Sequence, residues 1–220
     1  MQQFVPNYTV RKYTSADYSA WNDFIAQAKN ATFLFHRDFM EYHQDRFEDY
    51  SLIVEDEKSW IAILPANRVE DEVFSHQGLT YGGLVFKEDL KLEKVILVFE
   101  SLMKKLYVNK LKKLVIKELP QVYCSSFSDE MKYVLFLIES KLIRRDTLAV
   151  IDCSKELLFS KDRKEGVKRG LKNKLEVREE NDFSLFWNTI LIPNLKIKHK
   201  VKPVHSLSEI QFLKSKFRSN

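Results

Sequence analysis

Apolar and polar positions alternate from Tyr8 to Tyr13, the period of a half-buried strand, and the spacing then becomes helical. Thr14, Ser15 and Asp17 supply capping groups for a helix through about Ala28 whose apolar face is Tyr18, Trp21, Ile25 and Ala28. A second helix is expected from about Asp38 to Phe47. Strands from Ser51 to Glu55 and from Trp60 to Leu64, joined by the polar turn Asp56-Glu57-Lys58 and closed by Pro65, read as a hairpin. Further strands are expected at Glu72 to Ser75 and Gly83 to Phe86. The clearest helix runs from about Leu92 to Tyr107, because Leu92, Val95, Ile96, Phe99, Leu102, Met103 and Leu106 recur along one face. After it the pattern predicts a strand at Leu114 to Glu118, a helix from Asp129 to Glu139 started by Ser126, and an apolar strand at Thr147 to Asp152. Hairpins before a central helix and strands after it predict an α/β (α+β) fold with a mixed sheet flanked by helices.

Beyond Asp152 the character changes. Basic residues outnumber acidic ones between Lys155 and Arg178. A strand at Leu175 to Arg178 and a helix from Asp182 to about Leu191 are expected next, then a basic run from Lys196 to Lys202. A closing helix starts at Ser206, which with Glu209 makes a capping box, and Leu207, Ile210, Leu213 and Phe217 form its apolar stripe. The stretch Val177-Arg178, Asp182-Phe183-Ser184, Trp187-Asn188 and Ile190 repeats the order of Val10-Arg11, Asp17-Tyr18-Ser19, Trp21-Asn22 and Ile25 about one domain length later. The chain then stops before a second such unit would be complete. Two units are therefore expected, 1–152 and an incomplete 153–220.

Composition narrows the class. With 220 residues, 45% hydrophobic and 30% charged, the chain can bury a substantial core and is too apolar to be disordered. A net charge of +5 suits an acidic partner such as a phosphate-bearing substrate, an anionic surface or nucleic acid. Cys124 and Cys153 have no metal-spaced partners and read as two reduced, buried thiols. No stretch approaches membrane-spanning length, and Met1-Gln2-Gln3-Phe4 lacks the pattern of a leader, so a cytoplasmic protein is expected.

Three of the five glycines and one of the five histidines fall in Ser75-His76-Gln77-Gly78-Leu79-Thr80-Tyr81-Gly82-Gly83, between two expected strands. Glycines let a ligand approach the backbone, so His76, Tyr81, Gly82 and Gly83 are candidate substrate-binding residues; a plain hairpin loop with an aromatic plug is the alternative. Neither G-x-G-x-x-G nor G-x-x-x-x-G-K is present. No histidine pair has metal-ligand spacing, so no metal site is expected, and no serine or cysteine sits in a nucleophile elbow. Arg163, Lys168 and Arg169 are candidate phosphate ligands, against the alternative of a solvated basic helix. The run from Arg163 to Gly170 compares with the pyrophosphate loop of acetyl-CoA enzymes, except that Lys168 stands where a small residue belongs. No catalytic base is identified.

Taken together these residues resemble the Fem-type aminoacyltransferases and relatives with acetyltransferase-like (GNAT) folds. The resemblance is carried by the loop from Ser75 to Gly83, the preceding Leu64-Pro65-Ala66, the Arg163 helix leading into Val177-Arg178-Glu179-Glu180 and Phe183-Phe186-Trp187, and the junction Lys202-Pro203-Val204-His205-Ser206-Leu207. It implies a GNAT-like mixed sheet followed by an incomplete second GNAT-like unit. It also implies transfer of an acyl or aminoacyl group to an amine of a nucleotide-linked or phosphate-bearing cell-wall or surface-glycan precursor. Acyl-CoA or aminoacyl-tRNA would be the donor, with no permanently bound cofactor. tRNA is the one nucleic acid such a reading admits, since the basic residues are not interleaved with stacking aromatics. The alternative is a non-catalytic binding or scaffold protein with a degenerate GNAT-like domain and a protein partner at its C-terminal helix.

Overall fold

The structure is a computed structural model that describes residues 8–218; Met1-Gln2-Gln3-Phe4 lies outside them. The chain divides into two compact units, Met1–Ser140 with Phe212–Asn220, and Lys141–Gln211. The sequence places the break at Asp152, whereas the contacts place it at Ser140 and return the final residues to the first unit.

Unit 1 is mixed α/β with two four-stranded sheets. Strand β1 (Thr9–Lys12) runs into helix α1 (Tyr18–Gln27) and the short α2 (Arg37–Glu41). Strands β2 (Glu48–Asp49), β3 (Leu52–Asp56), β4 (Ser59–Leu64), β5 (Asn67–Val69), β6 (Glu72–Phe74) and β7 (Val85–Phe86) follow. Helix α3 (Leu92–Val108), strand β8 (Lys113–Val115) and helix α4 (Glu130–Leu137) complete the order. One sheet is β1-β3-β4-β7, antiparallel throughout; the other is β2-β5-β6-β8, with β6 and β8 parallel.

Period-two alternation divides the strands between two cores. Leu52 and Val54 of β3, Ala62 and Leu64 of β4 and Phe86 of β7 face a core completed by Val95, Val98, Phe99, Leu102 and Leu106 of α3 and by Met131 and Val134 of α4. Ile53, Ile63 and Val85 point the other way, against Trp21, Phe24 and Ile25 of α1 and Phe35 and Met40. The Trp21 Nε1–H donates to the Phe35 carbonyl at 2.8 Å, so the indole is buried with its polar atom satisfied. The expected helix over Asp38 to Phe47 is shorter: α2 ends at Glu41 and only a 3-10 turn at Gln44–Arg46 follows.

Unit 2 differs more from expectation. It holds the amphipathic α5 (Lys161–Lys172), capped by the Ser160 hydroxyl accepting from Arg163 N–H at 3.4 Å. Residues 184–199 follow as a helical rod, π-helical over Phe186–Leu191 and Leu195–His199 and α-helical over α6 (Ile192–Asn194). Pro193 lies in this rod, where its missing N–H removes one ladder bond and favours a shifted hydrogen-bond pattern. The basic Lys196, Lys198 and His199 of the expected basic run stand on this helix. Neither expected strand of this part forms. Leu148, Val150 and Ile151 are exposed and unladdered, and so is Val177. An apolar run becomes a strand only beside another strand, and among the described residues these have none. Val10 pairs with Val54 in β1, so the likeness of the two sequence stretches is not matched by a likeness of local structure. The closing helix α7 (Leu207–Lys216) forms with its capping box, Ser206 N–H donating to Glu209 at 2.6 Å and Glu209 N–H to the Ser206 hydroxyl at 3.2 Å. The thiols are not both buried: Cys153 is exposed and Cys124 half-buried, neither in a disulfide. No helix among the described residues is long and apolar enough to cross a membrane.

Candidate functional site

The loop between β6 and β7 is drawn tight by its own chemistry. Ser75 N–H donates to the Val115 carbonyl of β8 at 2.8 Å, and the Ser75 hydroxyl accepts Lys117 N–H at 2.8 Å. His76 takes a left-handed φ of 61°, unusual for a residue with a Cβ. A Cβ on Gly78 would fall inside contact distance of the His43 ring and 2.6 Å from that of Phe47, so only glycine allows the chain to pass. Gly82 crosses against the Ser75 carbonyl, where a Cβ has no room, and Gly83 has φ of 110°. Asn67 ties the loop back, its Oδ1 accepting Gln77 N–H at 2.7 Å and its Nδ2 donating to Gln77 Oε1 at 2.9 Å.

Beneath the loop lies a buried polar layer. The His43 and His76 rings are 5.8 Å apart, with Phe47 5.2 Å from each. Burial, and next the neighbouring His43, push His76 down to about 4, so its imidazole is neutral near pH 7; its Nδ1 has no hydrogen-bond partner among the described residues. Arg37 is buried yet fully engaged: it donates to Glu41 at 2.8 Å, to Asp49, and to the Ser51 hydroxyl at 3.2 Å, with the Tyr13 ring 3.7 Å from its guanidinium carbon. These contacts outweigh the burial that opposes its charge.

Past Gly82 the strands part. Gly82 N–H donates to the Lys117 carbonyl at 2.6 Å and Gly82 bridges Glu118 in parallel, but further on Val85 and Phe86 ladder with β4, and the other edge carries an isolated antiparallel bridge between Ala28 and Lys87. The edge of β7 turned away from β4 is met by Asn30 instead. Its Nδ2 donates to the Leu84 carbonyl at 2.8 Å and its Oδ1 accepts Phe86 N–H at 3.0 Å. Lys29 N–H adds a bond to the Phe86 carbonyl at 3.2 Å, while its buried ammonium pairs with Glu130. A side-chain carboxamide thus completes a strand edge as a backbone amide would. Lys117 stands at the same junction, its ammonium donating to the Leu79 carbonyl and its pKa lowered by burial.

Of the candidates read from sequence, His76, Tyr81, Gly82 and Gly83 fall together in this loop. His76 and both glycines are buried and Tyr81 is half-buried, its ring 5.3 Å from Tyr123 and 6.3 Å from Phe35. Burial raises the Tyr81 hydroxyl above its ordinary pKa. Arg163, Lys168 and Arg169 are exposed on α5 of unit 2. At about 100° per residue they point to three different sides of the helix. Lys161, Lys164, Lys168 and Lys172 instead share one face, with Lys168 also 3.0 Å from Glu165. Sequence reasoning missed Asn30 and Lys117, because nothing local marks a loop asparagine as the partner of a strand more than fifty residues on. No group of three histidine, cysteine or acidic side chains among the described residues is placed to hold a metal ion.

No family model matches the chain, and no curated protein matches it. Solved structures that are similar include these two. The ribosomal-protein-S18-alanine N-acetyltransferase of Escherichia coli aligns at a TM-score of 0.37 and 15% identity, over 49% of this chain and 64% of its own. The protein TTHA1254 of Thermus thermophilus, in its wild-type form, aligns at 0.35 and 14% identity, over 67% of this chain and 99% of its own. The chain thus spans less than two thirds of the length of the first.

Proposed function

We propose that the protein is an acyl- or aminoacyltransferase-type protein that moves an acyl group from a donor to an amine of a phosphate-bearing precursor of the cell-wall or surface-glycan class. The observation that supports this reading is the edge of β7 turned away from β4, which the Asn30 carboxamide and the Lys29 amide meet where a neighbouring strand would lie. Leu84 C=O and Phe86 N–H offer one acceptor and one donor, spaced for an amide, and the Asn30 carboxamide fits them. An acyl-CoA donor suits this edge, because its arm carries secondary amides that could take the same two bonds; aminoacyl-tRNA is the second donor. The acceptor amine would attack the thioester carbonyl, the C–S bond would break as the C–N bond forms, and the amine would lose its proton to a base not yet assigned. Backbone N–H groups beside the acyl carbon would steady the developing oxyanion. Tyr81, Gly82 and Gly83 line the acceptor side in this account.

The second reading, a non-catalytic binding protein, draws on the same asparagine, since Asn30 also closes the edge that a donor would need. Incubation with acetyl-CoA or aminoacyl-tRNA and amine-bearing nucleotide-sugars, followed by mass spectrometry, separates the two. Acylated acceptor with release of free thiol or deacylated tRNA is expected. Binding of the acceptor without transfer from either donor would leave the binding protein.

A further inference from the structure

A socket at the start of α2 serves neither the polar layer nor the β7 edge. Phe33 and Phe39 meet edge-on with ring centroids 5.5 Å apart, and His36 lies on the turn between them. Asp38 stands at the rim and is held from α1: Asn22 Nδ2 donates to its Oδ2 at 3.4 Å and the Tyr18 hydroxyl bonds to its carboxylate. Asn22 is itself fixed, its Oδ1 accepting Arg37 N–H at 2.9 Å. Walls and carboxylate are therefore set by α1, α2 and the turn between them.

The occupant is a segment of the same chain, residues 216–217. The Phe217 ring sits 5.3 Å from Phe33 and 6.0 Å from both Phe39 and His36. The Lys216 ammonium is 2.9 Å from Asp38 Oδ1 and lies over the Phe212 ring at 5.7 Å. Burial would raise the Asp38 carboxyl, but bonds from Tyr18 and Lys216 and the charge of Lys216 hold it below its ordinary value. Burial also lowers His36, leaving an imidazole that does not repel the ammonium near pH 7. No residue of α7 is buried, and the Lys216 side chain is 46% exposed, so Lys216 and Phe217 carry the contacts with the socket.

We propose that the Phe33, His36, Phe39 and Asp38 socket is a recognition site for a polypeptide segment presenting a lysine followed directly by a phenylalanine, and that residues 216–217 are its intramolecular occupant. Aromatic walls select the ring and the fixed carboxylate selects the preceding cation, which is what a two-residue motif requires. The inference does not depend on acyl transfer.

The test uses the full chain with Lys216→Ala and Phe217→Ala, which vacates the socket, and a labelled, N-acetylated and C-amidated peptide of residues 212–218. Fluorescence anisotropy at low salt should show saturable binding to the double variant. The parent should bind at least about tenfold more weakly, because its own residues 216–217 compete at high effective concentration. Asp38→Asn in the double variant should cost about tenfold or more. Peptides with Phe217→Ala or Lys216→Gln leave the protein untouched and should lose binding to a similar degree. No binding to the double variant, equal binding to the parent, or indifference to both peptide changes would overturn the proposal.

Discussion

A Cβ on Gly78 has no place to go, because the His43 ring and Phe47 already occupy it. Gly78→Ala should cost roughly 1–3 kcal/mol, the usual range for forcing atoms into a packed site. A drop in the urea midpoint of unit 1 would register it, and an unchanged midpoint would mean that the loop is not seated on His43. His76 carries the pH dependence. Its neutral form is favoured in the folded chain, with a pKa of about 4 against an ordinary 6.5, so the unfolded chain binds more protons between those values. Stability is then fully present above about pH 6.5, falls as pH drops, and levels off below about 4, a swing of about 3 kcal/mol at most. His76→Asn tolerates the left-handed φ and should flatten the part of the curve between pH 6.5 and 4 relative to the parent. Parallel curves for the two proteins would contradict the assignment. The loop was legible in the sequence from its glycines. Its tightness was not, because it comes from His43, Phe47 and Ser75, whose proximity is a property of the fold.

Elements with a face to bury were legible. The α3 stripe predicts Leu92 to Tyr107, and the helix spans Leu92–Val108 with Val95, Phe99, Leu102 and Leu106 inside; the β3–β4 hairpin is read as closely. Elements needing a distant partner were not. Thr147 to Asp152 is as apolar as a core strand, but no strand lies beside it among the described residues. β2 and β5, of two and three residues, are too short to leave a pattern and exist because the hairpin resumes beyond Ser51 and Ala66. On α5 Arg163 and Arg169 point to different sides of the helix, while Lys164 and Lys168 share a face. If this helix meets phosphate, Lys164→Gln with Lys168→Gln should weaken binding of a nucleotide-sugar severalfold more than Arg163→Gln with Arg169→Gln, and added salt should erase the difference. Equal effects from the two pairs, measured by calorimetry, would return α5 to a solvated helix.

For the whole molecule, 220 residues carrying a net charge of +5 divide into a unit with two buried cores and a second built from helices and irregular chain. The proposed donor site belongs wholly to unit 1, where Asn30 supplies the side-chain bonds that close a strand edge beside the Lys29 amide. That makes the functional reading testable at a single side chain. Removing the Asn30 carboxamide frees Leu84 C=O and Phe86 N–H, a loss to the unliganded fold of about 1–3 kcal/mol that a donor amide could recover. The measurement that bears most directly on the account is calorimetric titration of acetyl-CoA into the parent and into Asn30→Ala. The account predicts saturable binding to both, tighter in Asn30→Ala by about threefold to tenfold. Binding to neither protein, or binding that Asn30→Ala leaves unchanged, would contradict it.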